Sequence, residues 1–295
     1  MARTDSIPSV GAADHTEGRH YLAGPRAALA IAGQMVAERR RSLIGYSIGM
    51  AALMALMVAV YPSIRDTGEE LDAYAESLPE AFRDAFGLAA DSIASPAGYL
   101  MSQLYSNMFP IILLVLGIAL AAWVIAGSEA EGTLEMLLAN PVTRVWAAVG
   151  RVIGMWVLVA LVTVAGTLIL ALTSPLVGLD EGLPWWGLWS AGVATYALVM
   201  LQASLGFAVG AASGSRGMAI AAATVFVVLG FAAQLVGSAA ESLSWLRDAS
   251  PWYWLLNSNP LTEAPGLLNT WIPLAIALVL TAVGIAWFDR RDLTA

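Results

Sequence analysis

The sequence predicts an all-α integral membrane protein of six transmembrane helices. Three observations carry that prediction. Hydrophobic residues make up 59% of the chain and charged ones only 12%, against about 25% charged in an ordinary soluble domain. Mean hydropathy is +0.72. Six long apolar runs contain no Asp, Glu, Lys, Arg or His. Apolar surface on this scale needs lipid as its solvent, and the runs leave few residues for a separate water-soluble core.

Residues 1–24 are polar and irregular, which predicts a disordered cytoplasmic tail. Residues 25–295 then form one six-helix membrane domain. No apolar core ending in a small-residue cleavage site precedes the first span, so that span is expected to act as an uncleaved anchor. Between Pro25 and Arg41, Leu29, Ala32, Val36 and Arg40 recur at helical spacing, with Arg26, Gln34 and Glu38 on other faces. The pattern fits an interfacial helix feeding the first span, and equally an extension of that span into water.

The runs are Ser42 to Tyr61, Met108 to Ala126, Val152 to Leu172, Ser190 to Ala212, Met218 to Val236 and Trp271 to Phe288. Each is close to the roughly 20 residues that cross a hydrocarbon core of about 30 Å. The fourth and fifth are nearly continuous, and Arg216 between them would cost about 2.5–3.5 kcal/mol at a membrane centre. A tight turn over Ser213, Gly214, Ser215, Arg216 and Gly217 is therefore expected. Pro110 and Pro273 fall near the starts of their runs, where a missing N–H costs least in a first helical turn.

Arginine bias sets the expected orientation. Arg39, Arg40, Arg41, Arg144, Arg151, Arg216, Arg290 and Arg291 fall on one side, which places both termini in the cytoplasm and the protein in the cytoplasmic membrane. The opposite loops hold Arg65, Arg83 and Arg247 among many acids, including Asp66, Glu69, Glu70, Asp72, Glu76, Asp180, Glu181 and Glu263. Within the long first outer loop, Leu78 to Gly87 reads as a short helix, with Ser77 as cap and Phe82 and Phe86 on one face. Trp245, Trp252, Tyr253 and Trp254 fit either a segment dipping into the outer interface or an ordinary aromatic belt.

Much chemistry is excluded. There is no cysteine, hence no disulfide or thiolate chemistry. All 14 basic residues are arginine, which removes a Walker A loop and its lysine. The net charge of −8 disfavours nucleic acid as a partner. Gly45-Tyr46-Ser47-Ile48-Gly49 has the G-x-S-x-G form of a nucleophile elbow, but that motif needs a strand, a turn and a histidine base. The histidines, His15 and His20, lie in the tail. The same glycines, with Gly150/Gly154 and Gly206/Gly210/Gly214, read as small-residue helix contacts, within the chain by default and between subunits as the sharper alternative.

No catalytic motif, resident cofactor or metal site is expected. Proton-coupled carriers hold ionisable groups in their spans, and these runs offer only neutral polar residues. Asn107, Thr163, Thr167, Tyr196, Gln202 and Gln234 are candidates for lining a substrate path, although hydrogen bonding between helices explains any one of them as well. A driving force from outside the chain follows.

The segment from Gly127 to Arg144 is the most informative. Ser128 and Glu131 have capping-box spacing, the acids sit at the favourable end of a helix dipole, and Leu134, Leu137 and Leu138 share an apolar face. Asn140-Pro141 stops this helix and starts the next. Such an element could lie flat on the bilayer or dock into a groove on a soluble partner.

Glu131-Gly132-Thr133-Leu134-Glu135, Leu137-Leu138 and Pro141-Val142-Thr143-Arg144 resemble the stretch after the second span of type-2 ATP-binding-cassette exporter permeases. Leu78-Pro79, Phe86-Gly87 and Phe288-Asp289-Arg290-Arg291-Asp292-Leu293 are similar to that family as well. Two departures stand out: Ala130 separates Glu129 from Glu131, where adjacent acids are usual, and Arg151 takes the place of a frequent lysine.

The resemblance implies a coupling helix, formed here by Glu129, Glu131, Gly132, Thr133, Leu134, Glu135, Leu137 and Leu138 with Arg144 beside it. That helix would take motion from a separate nucleotide-binding ATPase subunit, which holds the ATP and Mg. It also implies a second permease half, identical or different, completing the pathway. An uncharged path fits an amphiphilic or hydrophobic substrate exported across the membrane. The competing expectation is a non-transporting scaffold or receptor with an acidic outer face.

Overall fold

The computed structural model describes residues 24–79, 82–83, 92, 94–139, 142–257 and 259–291. Among these there is no strand, and six helices are long and apolar enough to cross a membrane. The protein is an all-α integral membrane protein. Helix α1 spans Pro25–Glu38, α2 Arg40–Asp66, α3 Gly68–Ser77, α4 Pro96–Ala130, α5 Thr133–Leu138 and α6 Arg144–Thr173. Helix α7 spans Gly187–Ser213, α8 Arg216–Ala239, α9 Ser244–Asp248, α10 Pro251–Asn257 and α11 Leu267–Arg290. The crossing helices are α2, α4, α6, α7, α8 and α11. The expected tail lies outside the described residues.

Helix α7 is the hub, packing on α4, α6, α8 and α11. Small residues let its neighbours approach: Gly192 faces Thr167, and Gly206 and Gly210 face Ala219 and Ala223 of α8. In lipid, where hydrophobicity gives helices no drive to associate, such close contact supplies the packing energy. Gly150 and Gly154 receive α1 instead, against Ala28, Ile31 and Met35. The expected packing role within the chain holds at Gly150, Gly154, Gly206 and Gly210. Gly45 and Gly49 meet nothing within 4 Å.

Helix α1 is not a straight continuation of the first span. The chain turns at Arg39, and α1 lies along α6. Its buried face is Ala27, Ala28, Ile31, Ala32 and Met35, one position round from the expected stripe, and Leu29 is left 62% exposed. The reason is Gly150 and Gly154, which admit whichever α1 residues fit the channel they open. The turn between α7 and α8 matches expectation: Gly214 is left-handed at φ +67°, and the Ser215 hydroxyl accepts from Met218 N–H at 3.3 Å.

Pro110 does not sit in a first turn. Helix α4 begins at Pro96, where the Ser95 hydroxyl caps Gly98 N–H at 3.0 Å, and Leu100–Met108 are π-helical. Phe109 N–H reaches back to Leu104 C=O, and this wider turn fits the proline ring into a helix interior that would otherwise clash with it. The same device precedes Pro273, through the π-helical stretch Leu267–Trp271. Ser106 Oγ and Asn107 Nδ2 donate to Met101 C=O at 2.6 Å and Ser102 C=O at 3.1 Å, satisfying carbonyls of the loosened turn.

At the acid-rich end, the Ser77 hydroxyl donates back to Tyr74 C=O at 2.6 Å. Most of the expected Leu78 to Gly87 helix lies outside the described residues. Helices α9 and α10 fold back into the bundle. Ser250 Oγ donates to Gly230 C=O at 2.7 Å, roughly 13 Å below the end of α8 at about 1.5 Å per residue. Trp252 is 3% exposed and meets Phe231 edge-on at 5.6 Å. The dipping segment is the better description, with Trp252 as its anchor and Trp245 remaining exposed.

Candidate coupling site

Helix α4 runs on past its apolar stretch. Trp123–Gly127 are π-helical, and the helix continues through Ala130. Ser128 is therefore an interior helix residue, and the expected Ser128–Glu131 capping box does not form. The Ser128 hydroxyl donates to Trp123 C=O at 2.9 Å and accepts from Arg151 Nη1. Helix α5 instead begins after Gly132, left-handed at φ +69°, a conformation costing any residue with a Cβ about 1–2 kcal/mol. Thr133 Oγ1 donates back to Ser128 C=O at 3.1 Å, closing the bend.

This bend aims the short helix. Leu134 is buried at 1% exposure, and Leu137 and Leu138 are half-buried, so the expected apolar face is the one turned inward. Glu131, Glu135 and Met136 are exposed. The result is an acidic knob with an exposed methionine, on an apolar base.

Two clusters hold the knob to the bundle. Trp123 centres the first: Arg39 lies 3.8 Å from its ring centroid and Arg151 5.1 Å away, while its Nε1–H donates to Glu131 Oε2 at 3.1 Å. Arg151 is 7% exposed and also donates to Val124 C=O at 2.9 Å. Two cations on one indole repel, and the ring face, the Glu131 carboxylate and the carbonyl all act against that repulsion.

Arg291 centres the second cluster. Its Nη2 pairs with Glu129, and its carbonyl accepts from Arg144 Nη1 at 3.0 Å. Its guanidinium occupies the space that a side chain at position 214 would fill, so the left-handed glycine there serves both turn and contact. Charge-assisted hydrogen bonds of this kind are roughly twice as strong as neutral ones. Together the clusters join the ends of α2, α4, α6, α7 and α11.

Trp123 and the tertiary roles of Ser128, Arg39, Arg151 and Arg291 are not apparent from sequence. The available signal was the gathering of arginines on one side, used there only for orientation. The apolar run starts at Val152, which on sequence grounds leaves Arg151 in the preceding loop, whereas α6 begins at Arg144.

The residues expected along a path have these local settings. Thr163 Oγ1 donates to Val159 C=O at 2.9 Å, Tyr196 OH to Trp156 C=O at 3.2 Å, and Asn107 is taken up in its own helix. Thr167, Gln202 and Gln234 are buried. Among the described residues, Thr167 Oγ1 and Gln202 Oε1 have no hydrogen-bond partner.

Six crossing helices, with an acidic helical knob tied by arginines to one end of the bundle, define a multi-pass membrane protein. Residues 29–293 match the family described as ABC-2 family transporter protein, and the chain belongs to that family as the permease component of an ATP-binding-cassette transporter. No curated protein matches the sequence.

Proposed function

We propose that this chain is one permease half of an ATP-driven exporter. It moves an amphiphilic or hydrophobic substrate across the cytoplasmic membrane and takes its energy from a nucleotide-binding subunit on another chain. The observation that carries this reading is the knob: an exposed acidic surface on α5, on an apolar base, whose root is tied by side chains to five helices of the bundle. A push delivered there reaches the crossing helices without passing through flexible backbone. Glu129, Glu131, Gly132, Thr133, Leu134, Glu135, Leu137, Leu138 and Arg144 form the coupling site. ATP and Mg are held by the partner, this chain is not itself an enzyme, and a second half, identical or different, completes the pathway.

The test is purification of the intact complex. An ATPase subunit is expected to co-purify, and substrate is expected to move only when nucleotide is hydrolysed. A chain that purifies without an ATPase and holds an outer ligand would overturn the exporter reading in favour of a scaffold or receptor.

The reading places the knob and both termini in the cytoplasm. Ser92 and Ser213 are both exposed and separated by an odd number of crossings, and the chain lacks cysteine. In intact cells, Ser92→Cys is expected to react with a membrane-impermeant maleimide and Ser213→Cys only after permeabilisation. The reverse pattern would invert the orientation and remove the knob from any cytoplasmic ATPase.

A further inference from the structure

At the arginine-rich end, a groove of about 370 Å³ lies against the last turns of α11, lined by Ala212, Val283, Ala286, Trp287, Arg290 and Arg291. Val283, Ala286, Trp287 and Arg290 follow helical spacing and form one stripe, apolar for two turns and cationic at its end. Val283 is 45% exposed and Trp287 60%. Arg290 is exposed and makes no ion pair among the described residues. In the same wall, Arg291 uses Nη2 and its carbonyl in the second cluster, and its buried Nε–H has no acceptor among the described residues.

We propose that this groove is a binding site for one anionic phospholipid. The acyl chain lies along Val283, Ala286 and Trp287, and the phosphate meets Arg290 at the mouth. Three features point to a lipid rather than to a soluble anion. The stripe is on a crossing helix, its apolar part is on the hydrocarbon side of the arginine, and an arginine at a helix end places its charge at headgroup depth. Basic pockets between crossing helices are suited to anionic headgroups, and the volume is within the roughly 300–1,000 Å³ of ligand sites. Asp289, exposed next to Arg290, lies outside the lining and about 100° round the helix. The site is independent of the exporter reading.

The experiment is native mass spectrometry of the purified protein from mixed micelles containing equal phosphatidylglycerol and phosphatidylcholine. One phosphatidylglycerol per chain is expected to survive, in preference to phosphatidylcholine. Arg290→Gln should lower that preference about fivefold, the scale of one basic residue near an anionic surface, and Arg290→Lys should keep most of it. Ala286→Trp, which fills the groove, should remove the bound lipid of either kind while the thermal transition in detergent stays within a few degrees. Equal retention of the two lipids, or an unchanged ratio in Arg290→Gln, overturns the proposal. So does Ala286→Trp retaining lipid as the unaltered protein does. Displacement of the lipid by millimolar inorganic phosphate would show a simple anion site and overturn the lipid assignment.

Discussion

Replacing Glu131 by Arg is expected to abolish substrate efflux while the permease stays near its normal abundance. Glu131 is exposed; its carboxylate accepts the hydrogen bond from Trp123 Nε1–H at 3.1 Å and lies near the Arg151 charge. A single net hydrogen bond to a charged group is worth about 1.5–3 kcal/mol, so its loss leaves the bundle folded. Reversing the charge near the start of α5 costs about 0.3–1 kcal/mol through the helix dipole. The new cation also joins Arg39 and Arg151 around one ring. None of this approaches what holds six crossing helices together, but the acidic surface of the knob loses its character.

Glu131→Gln keeps an acceptor for Trp123 and should leave the local fold intact. Efflux, co-purified ATPase and permease level measured in the same cells separate the outcomes. Full efflux by Glu131→Arg at normal abundance would sink the coupling assignment. A fall in efflux that only tracks abundance would reduce Glu131 to a structural role.

Replacing Gly150 by Leu should act in the opposite way, lowering the amount of folded protein and efflux together. A Cβ at position 150 would lie 2.6 Å from the carbonyl oxygen of Ala28, 3.0 Å from its Cα and 2.8 Å from Cβ of Ile31. Two of those atoms are backbone, so no rotamer change relieves the collision, and α1 must move away from α6. Overpacking a well-filled contact costs about 1–3 kcal/mol. Here it also exposes Ile31 and Met35, both buried against α6. Limited proteolysis should cut near Arg39 in the variant and spare the unaltered protein. Gly49→Leu is the matched control, because no atom lies within 4 Å of its built Cβ. Equal abundance and equal protease resistance for Gly150→Leu and Gly49→Leu would refute the docking role of Gly150.

The crossing helices were legible in sequence because lipid imposes one rule on long stretches, and all six runs lie within observed helices. Their ends were not. Helix α4 begins at Pro96 rather than near Met108, since Ser102, Ser106 and Asn107 return their polar groups to their own helix and so travel with it. Pro110 reads as a helix start only while α-helical bonding is assumed; a π turn removes the conflict.

The knob was legible as a short helix with an apolar face, and its inward Leu134 follows from spacing alone. The capping-box spacing misleads because the local pattern has competitors elsewhere in the fold. The hydroxyl of Ser128 had a closer use, a carbonyl in its own helix and a guanidinium arriving from α6. Contacts such as Glu129 with Arg291 join positions far apart in the chain, and no periodicity records them.

That last pairing bears on how the protein is made. Glu129 and Arg291 are 162 positions apart, and at about 5–20 residues per second the ribosome needs roughly 8–32 s to travel between them. For most of that interval the knob-side ends of α4 and α6 are already synthesised while the arginine that joins them is not. Their final register waits for the last crossing helix, and a nascent chain stalled before α11 lacks the arginine that pairs with Glu129.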